Sequence, residues 1–256
     1  MRIQNIAITG ASSGIGAAIA QEYAAPDVKL YLSARDEGRL QSVSNKCKAL
    51  GADVEYHILD ITEMRSVEEW FCKIDNKNQI DLIFSCAGIM RTSDKDNPIE
   101  PIDRTMEQIS TNLCGSIYAA SAAGNRMKER QCGKIVLIGS MAALQPISDV
   151  QGYSASKAGL VAYGEALYAA LAPFNVKVHT ICPGYVATAM NSSIDSFRPF
   201  EISAEQTAKR IKRALSRGWI FYSFPFSLLT LIKLGRLLPI WLRKHTNKPF
   251  NFVTKK

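Results

Sequence analysis

The stretch Asn5-Ile6-Ala7-Ile8-Thr9-Gly10-Ala11-Ser12-Ser13-Gly14-Ile15-Gly16-Ala17-Ala18-Ile19-Ala20 decides the fold. Asn5 to Thr9 is a short strand-like run, apolar and β-branched from Ile6, and Ala17 to Ala20 favours helix. Between them lies Gly-x3-Gly-x-Gly, so strand, tight turn and helix follow one another as at the opening of a βαβ unit. Glycines serve a sharp turn, a close backbone approach to a diphosphate, and tight packing of helix on strand. The helix N-terminus then offers unpaired N–H groups to the anion. The same cluster alone also reads as a ligand-free turn; its position directly after the first strand favours the nucleotide reading.

Outward from that turn the alternation continues. Strands are predicted at Lys29–Ser33, Asp53–Leu59, Asp81–Ser85, Lys134–Gly139 and Lys177–Ile181. Helices are predicted at about 14–25, 37–50, 63–76, 103–130 and 152–172, with a last one from Ser203 to Arg217. Right-handed crossovers assemble such units into a parallel sheet covered on both faces, so the fold class is α/β, doubly wound and Rossmann-type. Ile135-Val136-Leu137-Ile138 is apolar at consecutive positions, as a strand buried on both faces requires. Trp219 to Phe224 could close the sheet. Residues 1–256 read as one domain, for no Pro/Ser/Gly-rich linker or repeat divides them. Within it, 218–256 is a basic, apolar extension expected to be amphipathic and helical.

Of the 256 residues 47% are hydrophobic and 21% charged, which excludes disorder. The six cysteines form no CxxC pair and read as buried or free thiols; no metal site is suggested. The net charge of +8 is uneven: residues 206–256 carry twelve Lys/Arg and no acid, leaving the rest net acidic. The N-terminus lacks a long apolar signal segment, so a cytoplasmic location is expected. The longest uncharged apolar run, Gly218 to Ile232, has 15 residues, short of the ~18–20 of a spanning helix.

The glycine spacing opened by Thr9 resembles that of the short-chain dehydrogenase/reductase family, and further matches follow in the family's order over residues 3–190. Asp60-Ile61 matches its adenine-contacting pair, Ala87-Gly88 its Asn-Asn-Ala-Gly turn and Asn112 its helix asparagine. Ser140, Tyr153 and Lys157 match its catalytic serine and Tyr-x3-Lys pair; Pro183-Gly184 with Val186 and Thr188 matches its nicotinamide-side loop. Two departures occur: Ser85-Cys86 replaces Asn-Asn, and Gly139 replaces the first serine of Ser-Ser. The resemblance implies that Gly10, Ser12, Ser13, Gly14, Ile15, Gly16, Asp60, Ile61, Ala87, Gly88, Tyr153, Lys157, Pro183, Gly184, Val186 and Thr188 bind a nicotinamide dinucleotide.

NADP(H) is favoured over NAD by what ends the second strand. A carboxylate there would bond ribose hydroxyls and repel a 2′-phosphate, whereas arginine would pair with the phosphate. The family's NAD-binding members carry Asp where this chain has Ala34, and many NADP-binding members carry Arg where it has Arg35. Asp36 reads as the N-cap of the following helix. Arg39 either flanks the phosphate or is a surface charge.

Tyr153 and Lys157 stand i and i+4 on a predicted helix and so share a face. A nearby ammonium lowers a phenol's pKa toward the working range. In the family the lysine also holds the nicotinamide ribose, the serine bonds the substrate carbonyl, and the asparagine ties the lysine to a water chain; Ser140, Lys157 and Asn112 inherit those roles from the resemblance. Tyr163 and Tyr168 read as packing residues. Ala158, Ala162, Ala166 and Ala169 form a small-residue stripe for the core or, as in the family, a homo-oligomer interface, dimer or tetramer.

Two segments are candidates for the substrate pocket, Arg91 to Ile102 and Met190 to Ile202, the latter with Phe197, Pro199 and Phe200. Arg91 and Arg198 read as solvated charges. The extension, with Lys233, Arg236, Arg243 and Lys244 among aromatics and aliphatics, suits peripheral contact with an anionic membrane surface ahead of capping the pocket or joining subunits. The expected activity is NADP(H)-dependent interconversion of a carbonyl and an alcohol on a hydrophobic or lipid-like small molecule. The alternatives are a non-catalytic NADP-sensing module and a reductase of soluble carbonyls whose tail serves oligomerisation. No nucleic-acid partner is expected, for the tail carries no recognition motif.

Overall fold

A computed structural model of the protein describes residues 3–94, 96–190, 194–195, 198–239, 241–242 and 253–254. Strands β1 (Asn5–Thr9), β2 (Lys29–Ala34), β3 (Asp53–Ile58), β4 (Leu82–Ser85), β5 (Gly133–Ile138) and β6 (Val176–Pro183) form the sheet with β10 (Phe221–Phe224). Three two-residue strands complete the count up to β10: β7 (Val186–Ala187), β8 (Ile194–Asp195) and β9 (Ile202–Ser203). Beyond it comes β11 (Val253–Thr254). The sheet order is β10-β6-β5-β4-β1-β2-β3, with every pairing parallel.

Helices α1 (Gly14–Tyr23), α2 (Glu37–Ala49) and α7 (Ala204–Ser216) supply apolar side chains to the core on one face. Helices α3 (Met64–Lys77), α5 (Gly115–Glu129) and α6 (Gln151–Leu171) supply the other. Ile6, Ile8, Leu30, Leu32, Phe84 and Val136 point to the first core, while Ala7, Tyr31, Ile83, Ile135 and Leu137 point to the second. That division explains the unbroken apolar strands: each residue in turn serves an opposite core. Burial of one such Ile or Phe stabilises the fold by about 1.5–3 kcal/mol. The expected helix at 103–130 is instead three consecutive helical segments, the middle one of different pitch. These are the α-helix α4 (Ile102–Gln108), a wider π-helical turn (Ile109–Cys114) and the α-helix α5.

The chain winds from β1 outward through β2 and β3, then returns to place β4 on β1's other side. β1 and β4 therefore flank the point where the winding reverses, and their carboxyl ends open a crevice, the usual ligand position in such sheets. β10 extends the sheet beside β6, so the later part of the Trp219–Phe224 stretch, Phe221 to Phe224, supplies its edge strand. After it comes α8 (Phe226–Arg236), which crosses in front of the β5 and β6 ends. Of the extension's charges, Arg243 and Lys244 lie outside the described residues.

Candidate active site

The first turn is built around Gly10. Its φ of +65° is one that side-chain-bearing residues seldom adopt. A Cβ there would come within 2.6 Å of Ala87 Cα and N, so only glycine lets the β1 loop touch the β4 loop. Thr9 fixes the same junction, its hydroxyl accepting from the N–H groups of Cys86 at 3.2 Å and Ala87 at 3.4 Å. Ala11 N donates to Ser33 O at 3.1 Å, tying the turn to β2. Helix α1 starts at Gly14, and its first intrahelical bond runs from Ala17 N to Ser13 O; the Ser13 side chain does not cap it. The N–H groups of Gly14, Ile15 and Gly16 therefore face the crevice without an intrahelical acceptor.

A cleft of about 300 Å³ runs along the carboxyl ends of the strands. It brings together Gly10, Ser12, Ser13, Gly14, Ile15, Gly16, Arg35, Ile61, Ala87, Gly88, Ser140, Tyr153, Lys157, Pro183, Gly184, Val186 and Thr188. Two expected residues stand off this wall. Asp60 turns its carboxylate to the N–H and hydroxyl of Thr62, at 2.9 and 2.8 Å, and its other oxygen lies 3.9 Å from Arg35 Nη1. Leu59 takes the place beside Ile61.

Asn112 lies fully buried in the π-helical turn behind the wall. Its Oδ1 accepts from Ile89 N at 2.7 Å, and its Nδ2 donates to Ile89 O at 2.9 Å and Ser156 Oγ at 3.1 Å. Ser156 Oγ in turn donates to the carbonyl of Tyr153 at 2.7 Å. The asparagine amide thus clamps the loop after β4 to the helix of Tyr153, rather than reaching for Lys157.

Lys157 is buried, and its Nζ donates to Ile138 O at 2.8 Å. Among the described residues no carboxylate pairs with it. Burial brings its pKa down to about 8. The ammonium sits 5.7 Å from the centre of the Tyr153 ring. The Tyr153 phenol is pushed up by burial and drawn partly back by its hydrogen bond with Ser140. Ser140 holds its place by capping a short 3-10 turn (Met141–Ala143), its Oγ accepting from Ala142 N at 3.1 Å. Cys86 and Cys182 lie in the same surroundings, and burial pushes both thiols up to about 12, so neither offers a thiolate at neutral pH.

The start of α6 is pinned by a buried network. Glu100 accepts from Gly152 N at 2.6 Å with one oxygen and from Gln108 Nε2 with the other, and Gln108 Oε1 accepts from Arg91 N at 2.8 Å. Arg91, Glu100 and Gln108 are thereby tied to the start of the helix that carries Tyr153 and Lys157.

This donor set fits a dinucleotide. The uncapped N–H groups of α1 suit a diphosphate, and a buried ammonium with two unspent protons facing the cleft suits sugar hydroxyls. At the cleft's far end Arg35 and Arg39 are both exposed, and Asp36 serves as the N-cap of α2, accepting from Arg39 N at 2.9 Å. Arg39 also pairs with Asp36 through Nε at 2.8 Å.

A second, smaller hollow of about 90 Å³ adjoins the first at Ser140, Tyr153 and Gly184. Its other walls are Met90, Met141, Ala142, Gln145, Ile147, Tyr185, Leu228 and Ile232, with no charged side chain among them. Leu228 and Ile232 come from α8, so this part of the C-terminal extension caps the pocket, the reading that the sequence places behind membrane contact. Their i, i+4 spacing was visible in the sequence; nothing local pointed to Met141 or Tyr185. Arg91 pairs with Glu107 at 3.0 Å and Arg198 with Glu201 at 2.9 Å, so neither is simply solvated. Tyr163 packs on the core, whereas Tyr168 and the alanines 158, 162, 166 and 169 lie on the exposed face of α6. Phe197 lies outside the described residues.

Comparison with known proteins agrees with this geometry. The family model for short chain dehydrogenases matches residues 4–199. An uncharacterised oxidoreductase of Staphylococcus saprophyticus is 35% identical over 191 residues, 73% of this chain and 80% of that one. Another, from Myxococcus xanthus, is 29% identical over 240 residues, covering 93% and 94% of the two chains. Among solved structures, a short-chain dehydrogenase from Sphingobium yanoikuyae in complex with NADPH superposes with a TM-score of 0.79 at 23% identity, over 92% of this chain and 95% of that one.

Proposed function

The chain belongs to the short-chain dehydrogenase/reductase family of oxidoreductases, and on that premise we propose that it uses NADP(H) to interconvert a neutral, hydrophobic carbonyl compound and its alcohol. The observation that carries this reading is the junction of the two hollows. Ser140 and Tyr153 belong to both the polar cleft and the apolar pocket, so a group bound in one meets a group bound in the other at a hydroxyl pair.

Gly14, Ile15 and Gly16 would hold the diphosphate of NADP(H), Lys157 the nicotinamide ribose, and Arg35 the 2′-phosphate. When bound, that cofactor supplies a hydride to the carbonyl carbon or accepts one from the alcohol. Tyr153 gives the carbonyl oxygen its proton in reduction. A phenol kept protonated by burial is suited to that direction at neutral pH. Ser140 donates to the same oxygen and orients it, and the Lys157 ammonium stabilises the negative charge that builds on the phenol oxygen as the proton leaves. Asn112 acts as a positioning residue through Ile89 and Ser156. The exposed alanine stripe of α6 would let two copies pack helix to helix, and a homo-oligomer is proposed on that ground.

The reaction is tested by following NADPH absorbance with neutral ketones of increasing apolar size beside ketones bearing a carboxylate. Turnover that improves with apolar size supports the reading. Turnover of the charged ketones alone, or of none, contradicts it. Ile232→Phe is expected to raise KM for the bulkier ketones by about tenfold while the Kd for NADPH stays unchanged, because only the apolar hollow narrows.

The titration of Lys157 gives a pH signature. Below about pH 8 its ammonium is intact; above that it is lost. If the cofactor binds only to the charged form, NADPH affinity falls up to about tenfold between pH 7 and pH 9. Lys157→Arg keeps its charge throughout and should flatten that dependence. A flat profile in the wild type would remove Lys157 from cofactor binding.

A further inference from the structure

Helix α8 has two apolar faces, and among the described residues only one is covered. Leu228, Leu229 and Ile232 turn inward onto Met141, Leu144 and Tyr185, and Arg236 Nη1 fixes the helix by donating to Leu144 O at 2.8 Å. Around the opposite side, Phe226, Leu231 and Leu234 are exposed, followed by Leu237, Leu238 and Trp241. Leu237 is 82% exposed, Phe226 77% and Trp241 64%. The outer face of a surface helix is ordinarily polar, and so many large apolar side chains bared within sixteen residues mark an interaction surface.

Charge selects the occupant. Lys233 is exposed beside this face, the sequence continues with Arg243, Lys244, Lys248, Lys255 and Lys256, and no acid occurs after Glu205. A second copy seated face to face would set these cations against their own kind. A nucleic acid would meet aliphatic side chains where stacking platforms are needed. An anionic bilayer satisfies both features, its acyl boundary receiving Leu and Phe, its phosphates receiving Lys and Arg, and a tryptophan settling between. We propose that the outer face of α8, with Leu237, Leu238 and Trp241, docks the protein on an anionic lipid surface, with α8 lying in the plane of the interface. Eleven residues span about 16 Å and cannot cross a bilayer, and among the described residues no helix is long and apolar enough to do so. Docking then places the outer wall of the apolar pocket at the lipid boundary.

The test is co-sedimentation of the full chain with vesicles of phosphatidylcholine alone or mixed with phosphatidylglycerol, read without substrate so that it stands apart from the reaction. Expected are binding to the anionic vesicles, weakened by salt, and little binding to the neutral ones. Leu234→Asp combined with Leu237→Asp should cut that binding at least about tenfold, and Lys233→Glu roughly fivefold. These positions are exposed, so turnover of a water-soluble ketone should be unchanged. Trp241 gives a second reading: fluorescence should shift to the blue on anionic vesicles and that component should vanish in Trp241→Phe. Absence of binding to anionic vesicles would overturn the proposal. So would a double variant that binds lipid as before, or one that falls apart into smaller assemblies, which would assign the face to a second copy.

Discussion

Tyr153→Phe is expected to lower the turnover of carbonyl reduction by about 10²–10⁴-fold while leaving the NADPH dissociation constant within about twofold of the wild type. The substitution removes one oxygen. The ring, its place on α6 and its 5.7 Å approach to Lys157 remain, and so does the rest of the cleft wall. What is lost is the group that shares a hydrogen bond with Ser140 and faces both hollows. Rapid-mixing kinetics at saturating NADPH, paired with a fluorescence titration of the same preparation, separates the two quantities. Turnover close to the wild type would transfer the proton donor's role to another group. A parallel loss of NADPH binding would give Tyr153 a merely structural part.

Arg35→Ala is the second large expected effect. The guanidinium is exposed at the end of β2, with the closest carboxylate oxygen, that of Asp60, 3.9 Å away and so only loosely engaged. Charge-assisted bonds from such a group to a phosphate contribute about 1.5–3 kcal/mol, so NADPH affinity should fall roughly ten- to hundredfold. NADH, which lacks that phosphate, should bind about as before. Arg39 is already committed to Asp36 at 2.8 Å, so Arg39→Ala should cost NADPH far less. Equal losses of both cofactors in Arg35→Ala would place the 2′-phosphate elsewhere.

Much of this was legible in the sequence because it is local. Glycine spacing, the apolar strands and the i, i+4 pair on α6 are each dictated by neighbours along the chain. The expected ends of β1, β2, α2, α6 and α7 lie within a residue or two of those observed. Asp36 is likewise the cap that its position before α2 suggests. What the sequence did not disclose arises from tertiary contact. The π-helical turn that buries Asn112 changes pitch without breaking the apolar pattern, so a continuous helix was the natural reading. Asp60 turns away because Thr62, two residues on, offers both a backbone and a hydroxyl donor. The inner face of α8 is hard to read because the same segment is apolar on its outer side as well, so composition favours a membrane over capping the pocket and does not single out Leu228 and Ile232. Met141, Tyr185 and Gln108 take their roles only once β5, β6 and the 89–102 loop meet.

The most direct test of the central claim is a parallel titration of the purified protein with NADPH and NADH, followed by nicotinamide fluorescence. Both should bind at the same site, with NADPH at least about tenfold tighter because only it carries the phosphate that Arg35 would hold. NADH binding as tightly as NADPH, or no binding of either, would contradict it.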